Sequence, residues 1–207
     1  MKKNNHFYYV IKRFSDVIIS LTVLIAAFLP LSILSFIIAF ETRTWPIYTQ
    51  TRIGQYGKPI KIYKLRSMVK DSDNVTQYFT PQQLEEWKRE RKVENDPRIT
   101  RSGKFIRETS LDEFPQFFNV LRGDLSIIGP RPIVKDELVH YGKNTKEFLS
   151  CKPGITGWWQ ATARNDATYN DGHRQELELF YVRNASLLLD IRIFFKTAQS
   201  IFQRTGK

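Results

Sequence analysis

An uncharged apolar run of about 24 residues, positions 17–40, lies near the start of the 207-residue chain. Roughly 20 apolar residues are enough for a helix to cross the hydrocarbon core of a bilayer, so this run is long enough to do so. It is too long for the apolar part of a secretory signal peptide, and no small-residue cleavage site follows it. The run therefore predicts a membrane helix.

Both flanks of this run are basic, and Pro30 lies in its middle. The flanking cations are Lys2, Lys3, Lys12 and Arg13 before it and Arg43, Arg52, Lys58 and Lys61 after it. Because basic flanks tend to stay in the cytoplasm, the pattern places both ends on one side of the membrane. A helix broken at Pro30 has two arms too short to cross. We predict this re-entrant helix–break–helix rather than a single spanning helix, with Arg13 and Asp16 placed to pair at its mouth.

The charge balance narrows the partners of the chain. There are 32 lysine and arginine residues against 21 acidic residues, which gives a formal net charge of +11. Such a chain attracts anionic lipid, phosphorylated substrates or nucleic acid, and the apolar run favours the first two. The single cysteine, Cys151, rules out an internal disulfide framework, and we predict that it is a small buried apolar residue.

Residues 109–121 carry two adjacent carboxylates, Asp112 and Glu113, directly before an apolar row. The row has the i, i+3, i+4, i+7 spacing of one buried helix face, at Phe114, Phe117, Phe118 and Leu121. Ser110 and Glu113 have the spacing of a capping box, and Pro115 falls in the first turn. The pattern predicts that both carboxylates lie at a helix N-terminus, where backbone N–H groups and the helix dipole favour anions. A plain helix cap is the alternative.

Cations on both sides of the carboxylates favour a phosphate–metal site over a solvated helix end. Those upstream are Arg98, Arg101, Lys104 and Arg107. Downstream, Pro130 and Pro132 fix the backbone around Arg131, which suits an arginine that holds a planar, bidentate partner such as a phosphate. A structural arginine on a proline-rich loop is the alternative there.

The remaining pattern predicts an α+β fold that is mostly helical. Residues 60–66 alternate apolar and basic as a half-buried strand does, and they include Lys64 and Arg66. Further predicted elements are a helix that begins at Pro81 after the cap Thr80, a buried strand over 125–128, and helices over 136–141, 145–149, 174–183 and 187–203. The last helix has basic edges and suits the headgroup plane, so we predict amphipathic interfacial helices. We divide the chain into a membrane segment, 1–42, and a cytoplasmic catalytic domain, 43–207.

Several runs of the sequence together resemble one family. They are Asp96-Pro97-Arg98-Ile99-Thr100, Ser110-Leu111-Asp112-Glu113, the run over 119–132 that contains Gly129-Pro130-Arg131-Pro132, Lys152-Pro153-Gly154-Ile155-Thr156-Gly157, and Leu188-Leu189-Asp190. In this order they resemble the bacterial sugar transferase family, the monotopic phosphoglycosyl transferases, in its minimal catalytic form. The resemblance covers nearly the whole chain.

The resemblance implies an activity. A sugar-1-phosphate would pass from a nucleotide diphosphate sugar, usually a UDP-sugar, to polyprenyl phosphate in the cytoplasmic leaflet of the bacterial inner membrane. UMP would be released, and the step would be the first membrane step of a glycan pathway such as capsule, lipopolysaccharide, exopolysaccharide or glycoprotein assembly. The implied cofactor is Mg2+, no nucleic-acid partner is implied, and the family's membrane segment is re-entrant. The oligomeric state is left open between monomer and dimer.

The resemblance also implies roles for particular residues. Asp112 is the expected nucleophile, which forms an aspartyl phosphosugar intermediate, and Glu113 is expected to hold the metal or to manage a proton. Both carboxylates are candidate metal ligands. The expected phosphate-binding residues are Arg107, Arg131, Arg164, Lys64 and Arg66.

Two other functions fit parts of the sequence. A non-catalytic membrane anchor with a basic domain for anionic lipid or nucleic acid fits the composition, but it leaves the carboxylate pair among arginines unexplained. A metal-dependent phosphatase of polyprenyl or nucleotide phosphates fits the pair as well. No cluster of histidine and cysteine has zinc-ligand spacing.

Overall fold

In a computed structural model of the chain, which describes residues 6–90, 93–163, 167, 169 and 171–202, the apolar run lies in one helix, α1 (His6–Thr42). Among these residues α1 is the one helix long and apolar enough to cross a membrane. The predicted interruption at Pro30 is not found, since helical structure continues through it. A proline removes one N–H donor from a helix. At Pro30 the missing donor is the one that would reach the Ala26 carbonyl, whereas the nearby Ser32 Oγ donates to a different carbonyl, Phe28 O, at 2.8 Å.

The first half of α1 is bound to the rest of the protein by polar contacts. Arg13 donates to the carbonyl oxygens of Val120 and Leu121 at 2.6 and 2.9 Å. Asp16 is buried, and its Oδ1 accepts from the Ile127 N–H at 3.0 Å. The predicted pairing of Arg13 with Asp16 is therefore wrong, because backbone groups of the folded domain occupy both side chains.

The last turns of α1 contact the same domain from another side. Ile38 is fully buried against Leu65 and Ile106. Glu41 accepts from the backbone N–H of Arg101 at 2.8 Å and from both the N–H and the hydroxyl of Ser102. These N–H groups begin a helix and have no partner within it, so Glu41 satisfies two of them. Both ends of α1 are thus held by one domain.

A two-stranded antiparallel hairpin follows α1. Strand β1 (Ile47–Ile53) pairs with β2 (Pro59–Leu65), with Tyr48 opposite Lys64 and Ile53 opposite Pro59. The strand predicted over 60–66 is therefore confirmed. Since paired residues share a face and side chains alternate along a strand, Lys64 lies on the same face as Tyr48, Gln50 and Arg52 of β1.

A second small sheet brings two motifs together. Strand β3 (Ser126–Ile128), a confirmed prediction, pairs in parallel with β4 (Gly154–Thr156). Gly129 and Gly154 face each other so closely that a Cβ on either would collide with the other strand's backbone. The glycines of the two motifs are thus explained by backbone contact, which fixes the start of the loop that carries Arg131.

Short helices complete the domain. In chain order they are α2 (Val75–Tyr78), α3 (Pro81–Glu90), α4 (Arg101–Glu108), α5 (Gln116–Arg122), α6 (Thr145–Ser150), α7 (Trp158–Thr162), α8 (His173–Asn184) and α9 (Leu187–Phe202). 3₁₀ segments occur at Gln55–Gly57, Leu111–Glu113 and Lys135–Asn144, and the last of these is interrupted by a kink at Gly142. The predicted cap of α3 is confirmed, because Thr80 Oγ1 accepts from the Gln83 N–H and the Gln83 side chain accepts from the Thr80 N–H.

The largest buried cluster lies where β2, β3, α5, α8 and α9 meet. Its members are Ile62, Val120, Leu125, Ile127, Ile128, Tyr181 and Ile193, and the Cys151 side chain packs against them. Burial raises the pKa of the Cys151 thiol to about 12, which suits the predicted apolar role. The fold is mostly helical α+β with small sheets, as predicted.

Helix α9 has a second apolar face that the core does not cover. Ile193 is fully buried, whereas the side chains on the other side are exposed: Leu188, Ile191, Phe194 and Phe195. A contiguous exposed apolar surface of this kind marks a surface for membrane or protein contact.

Candidate active site

The segment between α4 and α5 holds Asp112 and Glu113 in the 3₁₀ turn Leu111–Glu113. Ser110 precedes the turn in the left-handed backbone region, with φ 56°. The predicted capping box is wrong, because Pro115, not Ser110, is the residue before α5, and Glu113 lies inside the 3₁₀ turn. The two carboxylates therefore belong to a tight turn that leads into the helix.

The buried face of α5 differs from the predicted apolar row. Asn119 and Val120 are fully buried, whereas Phe118, which was predicted to be buried, is 52% exposed. Asn119 accounts for this rotation, because its Oδ1 accepts from the Tyr63 N–H at 3.0 Å and its Nδ2 donates to Lys61 O at 2.7 Å. The Asn119 amide thus bonds to the edge of β2 that is not paired with β1. These bonds hold α5, and with it the carboxylate turn, against the hairpin.

Lys64 on β2 is the cation closest to the carboxylate pair. Its Nζ lies 3.3 Å from Glu113 Oε1 and 3.8 Å from Asp112 Oδ2. The side chains of Lys64, Asp112 and Glu113 are 27%, 16% and 27% exposed, so all three can still be reached by a ligand. The hairpin and the turn thus bring one ammonium group between two carboxylates.

The Asp112 carboxyl has a raised pKa. Burial is the main cause, because it disfavours the charged form. The charge of Lys64 lowers the pKa, that of Glu113 raises it, and that of Arg107 lowers it. Added positive charge at this point would strengthen the carboxylate form of Asp112.

Arg107 and Arg98, two of the upstream cations, have different positions. Arg107 in α4 lies near enough to Asp112 to affect its charge, and its Nε donates to Ser67 Oγ at 2.8 Å. Arg98 instead pairs with Asp96 at 2.6 Å and donates to Ser72 O at 2.8 Å. Arg98 is therefore a structural cation, while Arg107 belongs to the carboxylate site.

Arg66 and Arg131, two other predicted phosphate contacts, have different hydrogen-bond partners. Arg66 donates through Nε to Trp45 O at 3.0 Å. The backbone N–H of Arg131 donates to Glu178 Oε2 at 3.1 Å. Arg164 lies outside the described residues. The structure thus brings Lys64 and Arg107 to the carboxylate pair, and the phosphate-binding roles of Arg66 and Arg131 stay predictions.

Sequence reasoning missed some residues of these sites. Ser67 holds the Arg107 guanidinium, and Glu178 holds the backbone of the Arg131 loop. A serine after a strand and one glutamate among several in a helix have no distinctive spacing, so the sequence offers no signal for either. Both contacts join segments that are more than 35 residues apart.

Two oxygen-donor side chains suit a hard cation at this site. Mg2+ is bound in phosphoryl-transfer sites by one or two carboxylates together with substrate phosphates. Asp112 and Glu113 provide such a pair, and both are partly accessible. Within the described ranges no group of three or more His, Cys, Asp or Glu side chains forms an all-protein metal cage. The residues present therefore fit a metal that is completed by substrate oxygens.

Comparison with known proteins identifies relatives along nearly the whole chain. The bacterial sugar transferase family matches residues 7–204. The undecaprenyl-phosphate galactose phosphotransferase of Salmonella typhimurium is 44% identical over 199 residues, which are 95% of this chain and 41% of that protein. The exopolysaccharide production protein ExoY of Sinorhizobium fredii is 40% identical over 198 residues, which are 94% of this chain and 87% of that protein.

A third relative has a name that states a reaction. The UDP-glucose:undecaprenyl-phosphate glucose-1-phosphate transferase of Escherichia coli is 36% identical over 195 residues, 91% of this chain and 39% of that protein. The chain thus spans about two fifths of the length of the Salmonella and Escherichia relatives and most of the length of ExoY. From the matched span, which includes the carboxylate turn and both glycine motifs, it follows that the chain belongs to the bacterial sugar transferase family.

Proposed function

We propose that this chain transfers a sugar-1-phosphate from a UDP-sugar to polyprenyl phosphate and releases UMP. The observation that carries the proposal is the carboxylate pair with Lys64 3.3 and 3.8 Å away and Arg107 beside it. A diphosphate has negative charge that must be offset before a carboxylate can approach it, and these cations supply that offset. The names of two relatives, a galactose phosphotransferase and a glucose-1-phosphate transferase acting on undecaprenyl phosphate, support the same reaction class.

The proposed chemistry has two steps. In the first, an Asp112 oxygen forms a bond to the sugar-linked phosphorus, and the bond from that phosphorus to the bridging oxygen breaks, with UMP as the leaving group. In the second, a phosphate oxygen of polyprenyl phosphate attacks the same phosphorus. The bond to Asp112 then breaks, which restores the carboxylate and gives polyprenyl diphosphate sugar. The Asp112 carboxylate is the leaving group of the second step, so no other reactant is needed.

The other residues of the site have supporting roles in this proposal. Lys64 and Arg107 stabilise the charge of the phosphates and keep Asp112 in its anionic form against the effect of burial. Asp112 and Glu113 would hold Mg2+, which supplies further charge neutralisation when bound. If Glu113 does not hold the metal, its role would be to accept a proton from the acceptor phosphate. The division of these two roles between the carboxylates is part of the proposal.

The membrane arrangement that we propose is re-entrant, with α1 bent at Pro30 rather than interrupted there. One domain contacts α1 through Arg13 at one end and through Glu41 at the other, so both ends belong on the side where the domain lies. The basic flanks favour the cytoplasmic side of the bacterial inner membrane. The exposed apolar face of α9 would then lie in the headgroup plane. This arrangement holds the carboxylate pair at the surface where a lipid phosphate lies.

Labelling of single cysteines tests this arrangement. Tyr9→Cys and Arg43→Cys, each in a Cys151→Ser background, should react with a membrane-impermeant maleimide in inside-out vesicles and not in intact spheroplasts. Labelling of the two positions from opposite sides would show that α1 crosses the membrane.

A transfer assay tests the proposed reaction. Asp112→Asn should abolish passage of label from a UDP-sugar into a polyprenyl lipid fraction, whereas the exposed Asp73→Asn should leave it unchanged. Intact-mass analysis of the wild type with donor alone should show an adduct of the sugar phosphate that is missing in Asp112→Asn. A fully active Asp112→Asn variant would exclude Asp112 as the nucleophile. Release of free sugar phosphate without acceptor would indicate a phosphatase.

A further inference from the structure

Buried polar atoms without partners are concentrated at one place outside the carboxylate site. Within the described part of the chain, nine buried side-chain nitrogen and oxygen atoms lack a hydrogen-bond partner. Five of them belong to four residues around the Tyr169 ring: the hydroxyls of Tyr141 and Tyr169, Nε and Nη2 of Arg174, and Oε1 of Gln175. Such groups cost free energy in a folded protein unless something else satisfies them. Their concentration points to a ligand.

Arg174 is fixed in the middle of this group. Its guanidinium lies between two aromatic rings, 4.0 Å from the Trp159 ring centre and 3.9 Å from that of Tyr169. His140 stacks on Tyr169 at 4.3 Å. Stacking fixes the plane of a guanidinium and leaves its edge N–H groups available for hydrogen bonds. The side chain is only 11% exposed, so Nε and Nη2 are directed into the protein rather than into solvent; neither makes a hydrogen bond, and Nη2 lies 3.9 Å from Glu137 Oε1.

The charges around Arg174 favour an anionic ligand. Three arginines, Arg52, Arg131 and Arg174, share the site with two carboxylates, Glu137 and Glu178. Glu137 lies 3.4 Å from Arg52 and 3.9 Å from Arg174, and Glu178 accepts from the Arg131 backbone. Burial also lowers the pKa of Arg52, with the charge of Arg131 as the next cause. Among the described residues of the site, cations outnumber carboxylates, and an added anion would relieve the repulsion among the arginines.

The position of the cluster relative to the carboxylate pair suggests what the anion is. Lys64 lies opposite Tyr48, and Arg52 follows four residues later on β1. Four residues keep the same face of a strand and advance it by about 14 Å. Lys64 and Arg52 thus lie on one face of the hairpin, about 14 Å apart along the strand direction, and an extended nucleotide sugar is long enough to reach from one to the other.

We propose that the Arg174 cluster binds the nucleoside monophosphate half of the donor, while the carboxylate pair receives its sugar-linked phosphate. This proposal rests on the proposed function. Arg174 and the two tyrosine hydroxyls supply hydrogen bonds to the carbonyl and hydroxyl oxygens of the nucleoside, and the surplus of arginine favours the phosphate. The unpartnered groups of the free protein are then satisfied when the donor is bound.

Binding of UMP to the full-length chain in detergent micelles tests the proposal. We expect Arg174→Gln to weaken UMP binding by at least about tenfold in calorimetric titrations, because charge-assisted hydrogen bonds are lost. Arg183→Gln is the matched control, since Arg183 lies on the same helix with its side chain 51% exposed and paired with Glu147. This control should bind UMP as the wild type does.

Tyr141→Phe separates binding from folding. The tyrosine is 3% exposed, and its hydroxyl lies beside that of Tyr169 without the geometry of a good hydrogen bond, so its removal should change the melting temperature of the free protein little. The same change should reduce the stabilisation that saturating UMP confers. UMP binding that is unchanged in both Arg174→Gln and Tyr141→Phe overturns the proposed site.

These measurements distinguish failure of the proposed nucleotide site from failure of the proposed transfer reaction. If the wild type transfers sugar phosphate and both variants bind UMP normally, the reaction stands and the nucleotide site is elsewhere. If the wild type neither binds UMP nor transfers sugar phosphate, the proposed function fails and the nucleotide site fails with it. Inorganic phosphate serves as a second probe, and equal effects on phosphate and UMP would show that the nucleoside is not recognised here, which also counts against the proposal.

Discussion

Glu178 gives a quantitative prediction about stability and pH. Its side chain lies in α8 with 1% of the residue exposed, and burial raises the pKa of its carboxyl to about 7 from the usual 4.5. In the unfolded chain Glu178 loses its proton near the ordinary value, whereas in the folded chain it keeps the proton until about pH 7. As pH rises between these two pKa values, the unfolded chain releases this proton and the folded chain does not. The free energy of unfolding therefore falls as pH rises. At about 1.4 kcal/mol per pH unit, the full effect is about 3 kcal/mol.

Glu178→Gln removes this titration. The glutamine is neutral at every pH and keeps an oxygen that can accept from the Arg131 N–H. The difference in unfolding free energy, variant minus wild type, should therefore rise by about 3 kcal/mol from pH 4 to pH 8. The change with pH is the quantity to measure, because the glutamine also alters packing by an amount that does not depend on pH.

Urea unfolding of the detergent-solubilised chain at a series of pH values measures this difference. Glu176→Gln on the same helix is the control, and its exposed side chain should give a nearly constant difference. A difference for Glu178→Gln that changes by less than about 1 kcal/mol over this range would refute the reasoning, since it would mean that the folded carboxyl ionises near its ordinary pKa.

Three further predictions concern the carboxylate site and its supports. Lys64→Met should move the acid limb of the kcat/KM–pH profile for sugar phosphate transfer to higher pH, because the Lys64 charge lowers the pKa of Asp112; an unmoved limb would contradict this. Glu41→Ala should lower the unfolding free energy by about 1 kcal/mol, measured by urea unfolding, because two N–H groups of α4 lose their acceptor. Asn119→Ala should cost about 2–4 kcal/mol in the same measurement, because a buried N–H and a buried carbonyl of β2 lose their partners. A loss below about 1 kcal/mol would mean that water replaces the amide.

Local patterns in the sequence predicted the elements whose cause is local. The alternation over 60–66 became β2, and the cap at Thr80 began α3 as expected. Alternation reflects the two faces of one strand, and a cap satisfies N–H groups within three residues, so neither needs knowledge of the rest of the fold. The apolar run likewise became α1, because its composition alone determines that it is a long helix.

Patterns that depend on distant partners could not be read in this way. Asn119 rotates α5 because it bonds to β2, 56 and 58 residues away, and the predicted apolar row fails for that reason. Contacts with residues far away in sequence likewise determine where the cations near Asp112 in the sequence are held. Arg107 lies beside it, whereas the Arg131 loop is held by Glu178. Spacing shows that cations are numerous, but not which of them face the carboxylates.

The contacts of α1 connect it to α4 and α5, the two helices next to the carboxylate turn. Glu41 holds the start of α4, and Arg107 near the end of the same helix acts on Asp112. At the other end of α1, Arg13 holds the last carbonyls of α5, the helix that follows the carboxylate turn. A flexible tether would leave the height of the site above the membrane undefined. Because α1 is bound at both ends to the helices on either side of the carboxylate turn, the depth of α1 in the proposed membrane arrangement would determine where Asp112 lies relative to the lipid phosphates.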